Sequence, residues 1–209
     1  MEGQIDFNYQ ARYHTLGNVA DSETIWFVLH GYGQLAEYFI RKFQGLKESG
    51  HCIIAPEGLS RFYLFGFTGR VGATWMTKED RETDIKNYVA YLNAIFDHEI
   101  GDNNRTINIL GFSQGAATAS RWITQSSFTF NKLVLWAGIF PPDMNIDLSR
   151  DRLRDKQTFL VYGTQDKYFT TEKLIEQKRI VSSLNIQPTV VTFDGEHDID
   201  PRTLLKIAH

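Results

Sequence analysis

Residues 111–115 constrain the fold of this chain more than any other segment. Their sequence is Gly-Phe-Ser-Gln-Gly; an apolar run (107–110) precedes them and an alanine-rich run (116–119) follows. This order predicts a strand, a tight turn and a helix. We expect a glycine on each side of the turn because the strand end and the helix start come too close there for a Cβ atom. A Gly-x-Ser-x-Gly turn in this setting is typical of a nucleophile elbow, which presents a serine hydroxyl, here that of Ser113, to a reactant.

Strand-like and helix-like segments alternate along the whole chain. Dense apolar runs predict strands at 24–29, 52–55, 106–110, 133–136, 158–162 and 189–193. Helical spacing predicts helices at 35–48, 78–100, 114–124, 170–184 and 201–208. A weakly alternating segment (4–16) predicts an edge strand, and the aromatic-rich segment 57–76 is interpreted as a long loop. The alternation predicts one α/β domain over residues 1–209, with a mostly parallel central sheet, helices on both faces and no separate lid domain.

Composition and charge exclude several classes of protein. A chain of 209 residues with a net charge of −3 suits one domain and lacks the basic excess of a nucleic-acid-binding surface, so no nucleic-acid partner is expected. No stretch approaches the roughly 18 apolar residues of a membrane span, so stable membrane insertion is not expected. The first residues have neither a basic start nor an apolar signal core, which predicts a cytoplasmic protein. The single cysteine, Cys52, excludes an intrachain disulfide and is interpreted as a buried strand thiol, and the sequence leaves the oligomeric state open.

A serine hydroxyl becomes a good nucleophile only beside a base, and that base needs a group to orient it. Asp166 comes shortly after the predicted strand 158–162, and His197 shortly after the predicted strand 189–193. Because the carboxyl ends of parallel strands lie at one edge of a sheet, we expect both side chains to lie near Ser113. The chain order Ser, Asp, His is that of the α/β-hydrolase triad. The predicted roles are nucleophile for Ser113, general acid and base for His197, and orienting carboxylate for Asp166.

Two other carboxylates compete for the orienting role. They are Asp143 and Asp194, and Asp194 lies in the same segment as His197, where its position suits stiffening of that loop. Asp166 itself has a second interpretation as a turn or helix-capping residue.

An acyl-transfer site also needs hydrogen-bond donors for the oxyanion that forms on the reacting carbonyl. One expected donor is the backbone N–H of Gln114, at a helix N-terminus where the helix dipole favours negative charge. The other is the backbone N–H of Tyr32, in the His-Gly-Tyr-Gly-Gln loop (30–34) that follows the strand 24–29. For His30 we favour a buried imidazole that braces this loop over a direct part in catalysis.

The motifs, taken in order, resemble the phospholipase/carboxylesterase group of α/β-hydrolases, which includes the acyl-protein thioesterases. The matching segments are 30–33, 55–56, Trp75, 111–116, 162–166 and 195–199. The resemblance implies an α/β-hydrolase fold and esterase or thioesterase activity without a cofactor or a metal. Segment 57–74, Gln34 and Ala116 depart from the family pattern, which leaves the substrate open.

The aromatic segment 57–76 is predicted to cover the substrate pocket, because apolar pockets suit hydrophobic ligands. The candidate substrate-lining residues are Phe65, Phe67, Trp75 and Tyr168; the alternative is that these rings only pack the loop onto the sheet. The leading hypothesis is hydrolysis of small carboxylic esters with short to medium acyl chains through an acyl-enzyme. The alternatives are a thioesterase that acts on acylated proteins or carriers, and a ligand receptor of the same fold without turnover. A peptidase is less favoured because no peptide-binding domain is visible.

Overall fold

The computed structural model of the protein describes residues 3–101 and 104–208. The strands are β1 (Tyr13–Leu16), β2 (Thr24–Leu29), β3 (Cys52–Pro56), β4 (Ser60–Tyr63), β5 (Val71–Thr74), β6 (Thr106–Phe112), β7 (Lys132–Trp136), β8 (Gln157–Gly163) and β9 (Thr189–Phe193). The α-helices are α1 (Ala36–Phe39), α2 (Gln44–Glu48), α3 (Arg81–Glu99), α4 (Gln114–Gln125), α5 (Ile146–Leu153), α6 (Thr171–Leu184) and α7 (Pro201–Ala208), and a 3₁₀ turn (Ile40–Phe43) joins α1 to α2.

Seven of the strands form the central sheet, in the spatial order β1-β3-β2-β6-β7-β8-β9. All pairs in it are parallel except β1 with β3, which is antiparallel. The middle strands are almost completely buried, as expected for strands that are covered on both faces and therefore have continuous apolar sequences. The predicted mostly parallel sheet is confirmed.

Helices cover both faces of this sheet and create two hydrophobic cores. On one face α3 and α4 pack against the central strands, with Trp122 of α4 and Phe96 of α3 beside Phe27 of β2, and α5 and α6 contribute buried residues to the same core. On the other face α1, α2 and α7 pack against the opposite side of the same strands, with Phe43 and Leu204 fully or almost fully buried. The two-sided helix cover that the sequence predicts is therefore confirmed.

The first predicted strand is shorter than expected. Only Tyr13–Leu16 pairs with β3, whereas residues 4–11 run along α3, where the Gln4 side chain donates to the Thr83 hydroxyl at 3.4 Å. The side chains of Ile5 and Phe7 are 88% and 76% exposed, so the alternation in this segment has no buried face to specify a register. The predicted helix 35–48 is also divided, into α1, the 3₁₀ turn and α2.

The interpretation of segment 57–76 as a loop is wrong, because it contains the antiparallel hairpin β4–β5. Its strands have four residues each and depend on a partner from another part of the chain. Loop 30–34 supplies this partner: Gly33 N–H donates to the Ala73 carbonyl (2.9 Å), and Ala73 N–H donates to the Gln34 carbonyl (3.1 Å). Such long-range pairing leaves no local pattern in the sequence.

Helix α5 was not predicted, because its sequence is mostly charged and has little apolar periodicity. The signal that could have identified it is the N-cap, where the Asn145 side chain accepts a hydrogen bond from Leu148 N–H. Cys52 is buried in β3 as predicted, and burial raises the pKa of its thiol to about 11. Among the helices of the described ranges, none combines the length and the apolar character that crossing a membrane requires.

Candidate active site

The predicted catalytic segments all leave the sheet at one edge. The paired positions are Leu29 with Gly111 between β2 and β6, Phe112 with Trp136 between β6 and β7, and Gly163 with Phe193 between β8 and β9. Each parallel strand therefore ends level with its neighbour. Polar groups at the carboxyl ends of such strands converge on one crevice, which places the segments after β2, β6, β8 and β9 around a common site.

Ser113 lies in a strained turn between β6 and α4. Its backbone angles are φ 54° and ψ −114°, a region that a residue with a side chain rarely adopts. A Cβ atom on Gly111 would lie 2.2 Å from the Gly115 carbonyl oxygen, and one on Gly115 would lie 2.1 Å from the Leu29 carbonyl oxygen. The predicted steric need for both glycines is confirmed.

Asp166 and His197 form a hydrogen-bonded pair in this crevice. His197 Nδ1 donates to Asp166 Oδ2 at 2.7 Å, and the backbone N–H of Tyr168 donates to Asp166 Oδ1 at 2.9 Å. The Asp166 side chain is fully buried and that of His197 is 22% exposed. A buried carboxylate with two donors holds the imidazole with its proton on Nδ1, so that Nε2 is free to accept another proton.

Backbone hydrogen bonds join the loops that carry these two side chains. Thr164 N–H donates to the Phe193 carbonyl (2.8 Å), and Gln165 N–H donates to the Gly195 carbonyl (2.9 Å). The spacing of aspartate and histidine thus follows from the parallel pairing of β8 with β9, continued past the strand ends.

The His197 ring packs between Phe112, the residue before Ser113, and Tyr168, with both ring centroids 4.9 Å away. Among the described residues the Ser113 hydroxyl makes no hydrogen bond, and the side chain of His197 is hydrogen-bonded to Asp166. Catalytic hydrogen bonds are often long without substrate and shorten when substrate binds.

The competing carboxylates have other partners. Asp194 accepts a hydrogen bond from the Gln165 side chain at 2.7 Å. Asp143 forms ion pairs with Arg121 (2.7 Å) and Arg81 (2.6 Å). Burial tends to raise the pKa of Asp143, but the hydrogen bonds from both arginines and the positive charge of Arg121 outweigh burial and lower it.

Two backbone N–H groups near Ser113 are free to bind an anion. Neither Tyr32 N–H nor Gln114 N–H has a hydrogen-bond acceptor within the part of the chain that the structure describes. Gln114 is the first residue of α4, where the helix dipole adds a favourable potential. The Tyr32 loop approaches Ser113 closely, because a Cβ atom on Gly31 would lie 3.2 Å from Ser113 Cβ.

His30 braces this loop, as predicted. Its Nδ1 donates to the Gly31 carbonyl (2.8 Å), and its Nε2 accepts from Gly58 N–H (2.9 Å). The ring is completely buried, and burial lowers its pKa to about 4. His30 is therefore neutral near pH 7 and has no nitrogen free for proton transfer.

The aromatic residues proposed to line the substrate pocket lie in different surroundings. Tyr168 is 55% exposed and packs edge-on against His197. Phe65 and Phe67 lie in the turn between β4 and β5 and are 80% and 93% exposed. Trp75 is almost fully buried against His30, and it lines a cleft of about 600 Å³ between α3 and residues 4–11 that contains neither Ser113 nor His197.

Sequence reasoning missed two polar side chains that support the site. Glu57 is buried and accepts hydrogen bonds from Arg12 (2.6 Å) and from Ala36 N–H (3.2 Å), so it ties the residue before β1 to the first residue of α1. The Gln114 side chain binds the end of β5, as described below. No local pattern in the sequence indicates that Glu57 is buried. For Gln114 there was a signal, because a polar side chain directly after the serine of the elbow lies close to the site.

No group of three or more His, Cys, Asp or Glu side chains is arranged to bind a metal ion in the described ranges. The site offers the Asp166–His197 pair, the Ser113 hydroxyl and the backbone N–H groups of Tyr32 and Gln114. This set of groups suits nucleophilic attack on a carbonyl carbon and stabilisation of the resulting oxyanion.

Solved structures of other proteins share this fold. Esterase PE8 shares 18% identity over 96% of this chain and 98% of its own, with a TM-score of 0.72. Acyl-protein thioesterase 2 from Zea mays shares 18% identity over 95% of this chain and 96% of its own, with a TM-score of 0.69. The Bacillus cereus carboxylesterase shares 17% identity over 96% of this chain and 92% of its own, with a TM-score of 0.69. These likenesses establish the α/β-hydrolase fold. The sequence matches none of the curated proteins with which it was compared. A sequence model described as phospholipase/carboxylesterase matches residues 17–209, and the chain therefore belongs to the phospholipase/carboxylesterase family of hydrolases.

Proposed function

We propose that this hydrolase cleaves carboxylic esters of short to medium acyl chains through an acyl-enzyme on Ser113. The observation that carries the proposal is the 2.7 Å hydrogen bond between Asp166 and His197 at the sheet edge where the strained Ser113 turn also lies. A receptor without turnover has no physical need for a buried carboxylate that fixes the tautomer of an imidazole beside a strained serine.

In the proposed reaction, the Ser113 hydroxyl oxygen attacks the ester carbonyl carbon while His197 Nε2 takes the hydroxyl proton. The carbonyl oxygen becomes an anion that the N–H groups of Tyr32 and Gln114 stabilise. When the C–O bond breaks, His197 returns the proton to the leaving alkoxide, and an alcohol departs. Water then attacks the acyl-enzyme with the same acid–base assistance and releases the carboxylic acid.

A thioester is the second candidate substrate. The likeness to an acyl-protein thioesterase favours it, and the same groups can attack either bond. Turnover of matched oxygen and thiol esters with the same acyl chain separates the two proposals. A kcat/KM at least as high for the oxygen ester supports the esterase, and a large preference for the thiol ester supports the thioesterase.

A fluorophosphonate probe tests the proposed nucleophile, because it reacts with activated serines. The wild-type protein should be labelled and Ser113→Ala should be neither labelled nor active, with an unchanged far-UV circular dichroism spectrum. Ser182→Ala, at an exposed position on α6, is the matched control and should behave as wild type. Hydrolysis or labelling that survives in Ser113→Ala would refute the proposal, and a wild-type protein that never labels would support a receptor.

A further inference from the structure

We infer that the side-chain amide of Gln114 is a positioning residue that fixes the spacing between the two oxyanion donors. This inference rests on the proposed function, in which the backbone N–H of Gln114 is itself one donor. The side chain and the backbone of this residue point to different partners, so their contributions can be separated.

The Gln114 amide is fully engaged with the end of the hairpin. Its Oε1 accepts from Trp75 N–H (3.2 Å), and its Nε2 donates to the Met76 carbonyl (2.9 Å) and to the Thr74 hydroxyl (3.0 Å). One backbone donor and one backbone acceptor determine which end of the amide faces which partner. Three consecutive residues are thereby tied to the first residue of α4.

The hairpin end is tied in turn to the loop that carries the other donor. The Trp75 indole N–H donates to the His30 carbonyl at 2.8 Å, and the Trp75 ring lies 5.1 Å from the His30 imidazole. Tyr32 follows His30 by two residues. A continuous set of contacts therefore runs from the Gln114 side chain through Trp75 and His30 to the loop of Tyr32.

The other contacts of this loop either stay within it, as when Gly31 N–H donates to the Gln34 side chain (2.9 Å), or reach the hairpin and the residues before it, as when Gly58 N–H donates to His30 Nε2 (2.9 Å) and the Tyr32 ring lies 5.1 Å from that of Phe62. Beyond Leu29 the loop leaves the central sheet, and its backbone pairs with β5 through Gly33 and Ala73. The position of Tyr32 N–H relative to Gln114 N–H thus depends on how firmly the hairpin end is held against α4. Oxyanion donors are effective only when they are preorganised within a few tenths of an ångström, so a loose hairpin end should cost turnover.

Gln114→Met tests the inference because it keeps the length of the side chain and the backbone N–H but removes all the amide hydrogen bonds. Gln125→Met, the same exchange at the exposed last residue of α4, is the control. We expect kcat of Gln114→Met to fall about 10- to 100-fold, part of the roughly 10²–10³-fold effect of losing a donor outright. KM should stay close to wild type and Gln125→Met should be unchanged, because ground-state binding does not use the oxyanion contacts.

Inhibitor binding provides a readout that general loosening of the fold would not reproduce. A trifluoromethyl ketone forms a tetrahedral adduct: Ser113 Oγ adds to its carbonyl carbon, the hydroxyl proton passes to His197, and the ketone oxygen becomes the bound anion. Its Ki should rise by the same factor by which kcat falls. A non-reactive ether, with an alkyl chain as long as the acyl chain of the substrate, should bind both proteins equally.

The inference is overturned if kcat of Gln114→Met is unchanged, if the loss appears in KM and in binding of the ether, or if Gln125→Met loses as much. If thermal unfolding shows that Gln114→Met is not folded, Trp75→Phe takes its place. This variant removes the hydrogen bond from the indole N–H to the His30 carbonyl and keeps an aromatic ring. The proposed function is tested separately, since an active Ser113→Ala refutes the nucleophile, whereas an unaffected Gln114→Met refutes only the positioning role.

Discussion

The buried imidazole of His30 predicts a specific dependence of stability on pH. Burial lowers the pKa of His30 from the ordinary value of 6.5 to about 4 in the folded protein. Between these two pH values the unfolded chain holds a proton on this residue that the folded protein does not hold. Acidification therefore favours unfolding: the contribution of His30 is fully present above about pH 6.5 and is lost as the pH falls toward 4.

The difference between the two pKa values corresponds to about 3 kcal/mol in the free energy of unfolding. The change is steepest near pH 5, where unfolding should take up nearly one extra proton and the free energy should fall by about 1.4 kcal/mol per pH unit. Other groups also titrate in this range, so the wild-type curve alone does not isolate His30.

His30→Gln provides the comparison because it cannot titrate and still offers an oxygen to Gly58 N–H. Urea unfolding followed by tryptophan fluorescence, from pH 4.5 to 7.5, gives the free energy of unfolding for both proteins. The variant should be less stable at pH 7, and the difference should shrink steadily on acidification. Parallel curves would refute the reasoning, because they would mean that folded His30 binds protons as readily as the unfolded chain. The pH profile of ester hydrolysis should keep its shape in His30→Gln, since this imidazole moves no proton in the proposed reaction.

Three other predictions concern Asp166, the pair Phe65 and Phe67, and Glu57. Asp166→Asn should lower kcat for ester hydrolysis by about 10⁴-fold without unfolding the protein, because an amide facing His197 Nδ1 favours the tautomer with its proton on Nε2, which cannot accept the serine proton. A loss of less than tenfold would contradict the orienting role of Asp166. Phe65→Ser combined with Phe67→Ser should raise KM about fivefold to tenfold for long acyl esters and leave acetate esters unchanged, because these exposed rings can cover only a longer chain; equal effects on both esters would exclude them as acyl contacts. Glu57→Gln should lower the free energy of unfolding, measured in urea, by about 1.5–3 kcal/mol, since a buried carboxylate loses charge-assisted hydrogen bonds. Glu37→Gln is the control and should leave the free energy of unfolding nearly unchanged, because the ion pair of Glu37 with Arg41 is exposed.

The parts of the fold that the sequence predicts well are those with a local physical cause. Apolar runs in β2 and β6 are continuous because both faces of the sheet are covered, and the glycines at 111 and 115 leave no room for a Cβ atom. The order Ser113, Asp166, His197 placed three side chains after three strands, and the structure brings Asp166 and His197 together at that edge.

The parts that the sequence does not predict depend on contacts between distant segments. The hairpin β4–β5 is short, and its strand β5 also pairs with loop 30–34. The buried carboxylate of Glu57 accepts a hydrogen bond from Arg12, which lies 45 residues away in the sequence. Trp75 illustrates the same difficulty in the site, since an aromatic side chain in a predicted loop gives no sign that its indole N–H is used by the His30 carbonyl. Tertiary packing determines whether a single side chain is buried, and neither the hydrophobic periodicity of the sequence nor the secondary-structure propensity of its residues contains that information.

The two halves of the proposed site are therefore held by different means. Ser113, Asp166 and His197 stand on segments whose spacing follows from the register of neighbouring parallel strands, so changes elsewhere on the surface should move them little. Tyr32 stands on a loop that has left the sheet and takes its support from the hairpin. The hairpin also carries Phe65 and Phe67, the exposed candidates for contact with the acyl chain. Substitutions in this one segment can therefore alter substrate preference and oxyanion stabilisation together, while the acid–base pair retains its geometry.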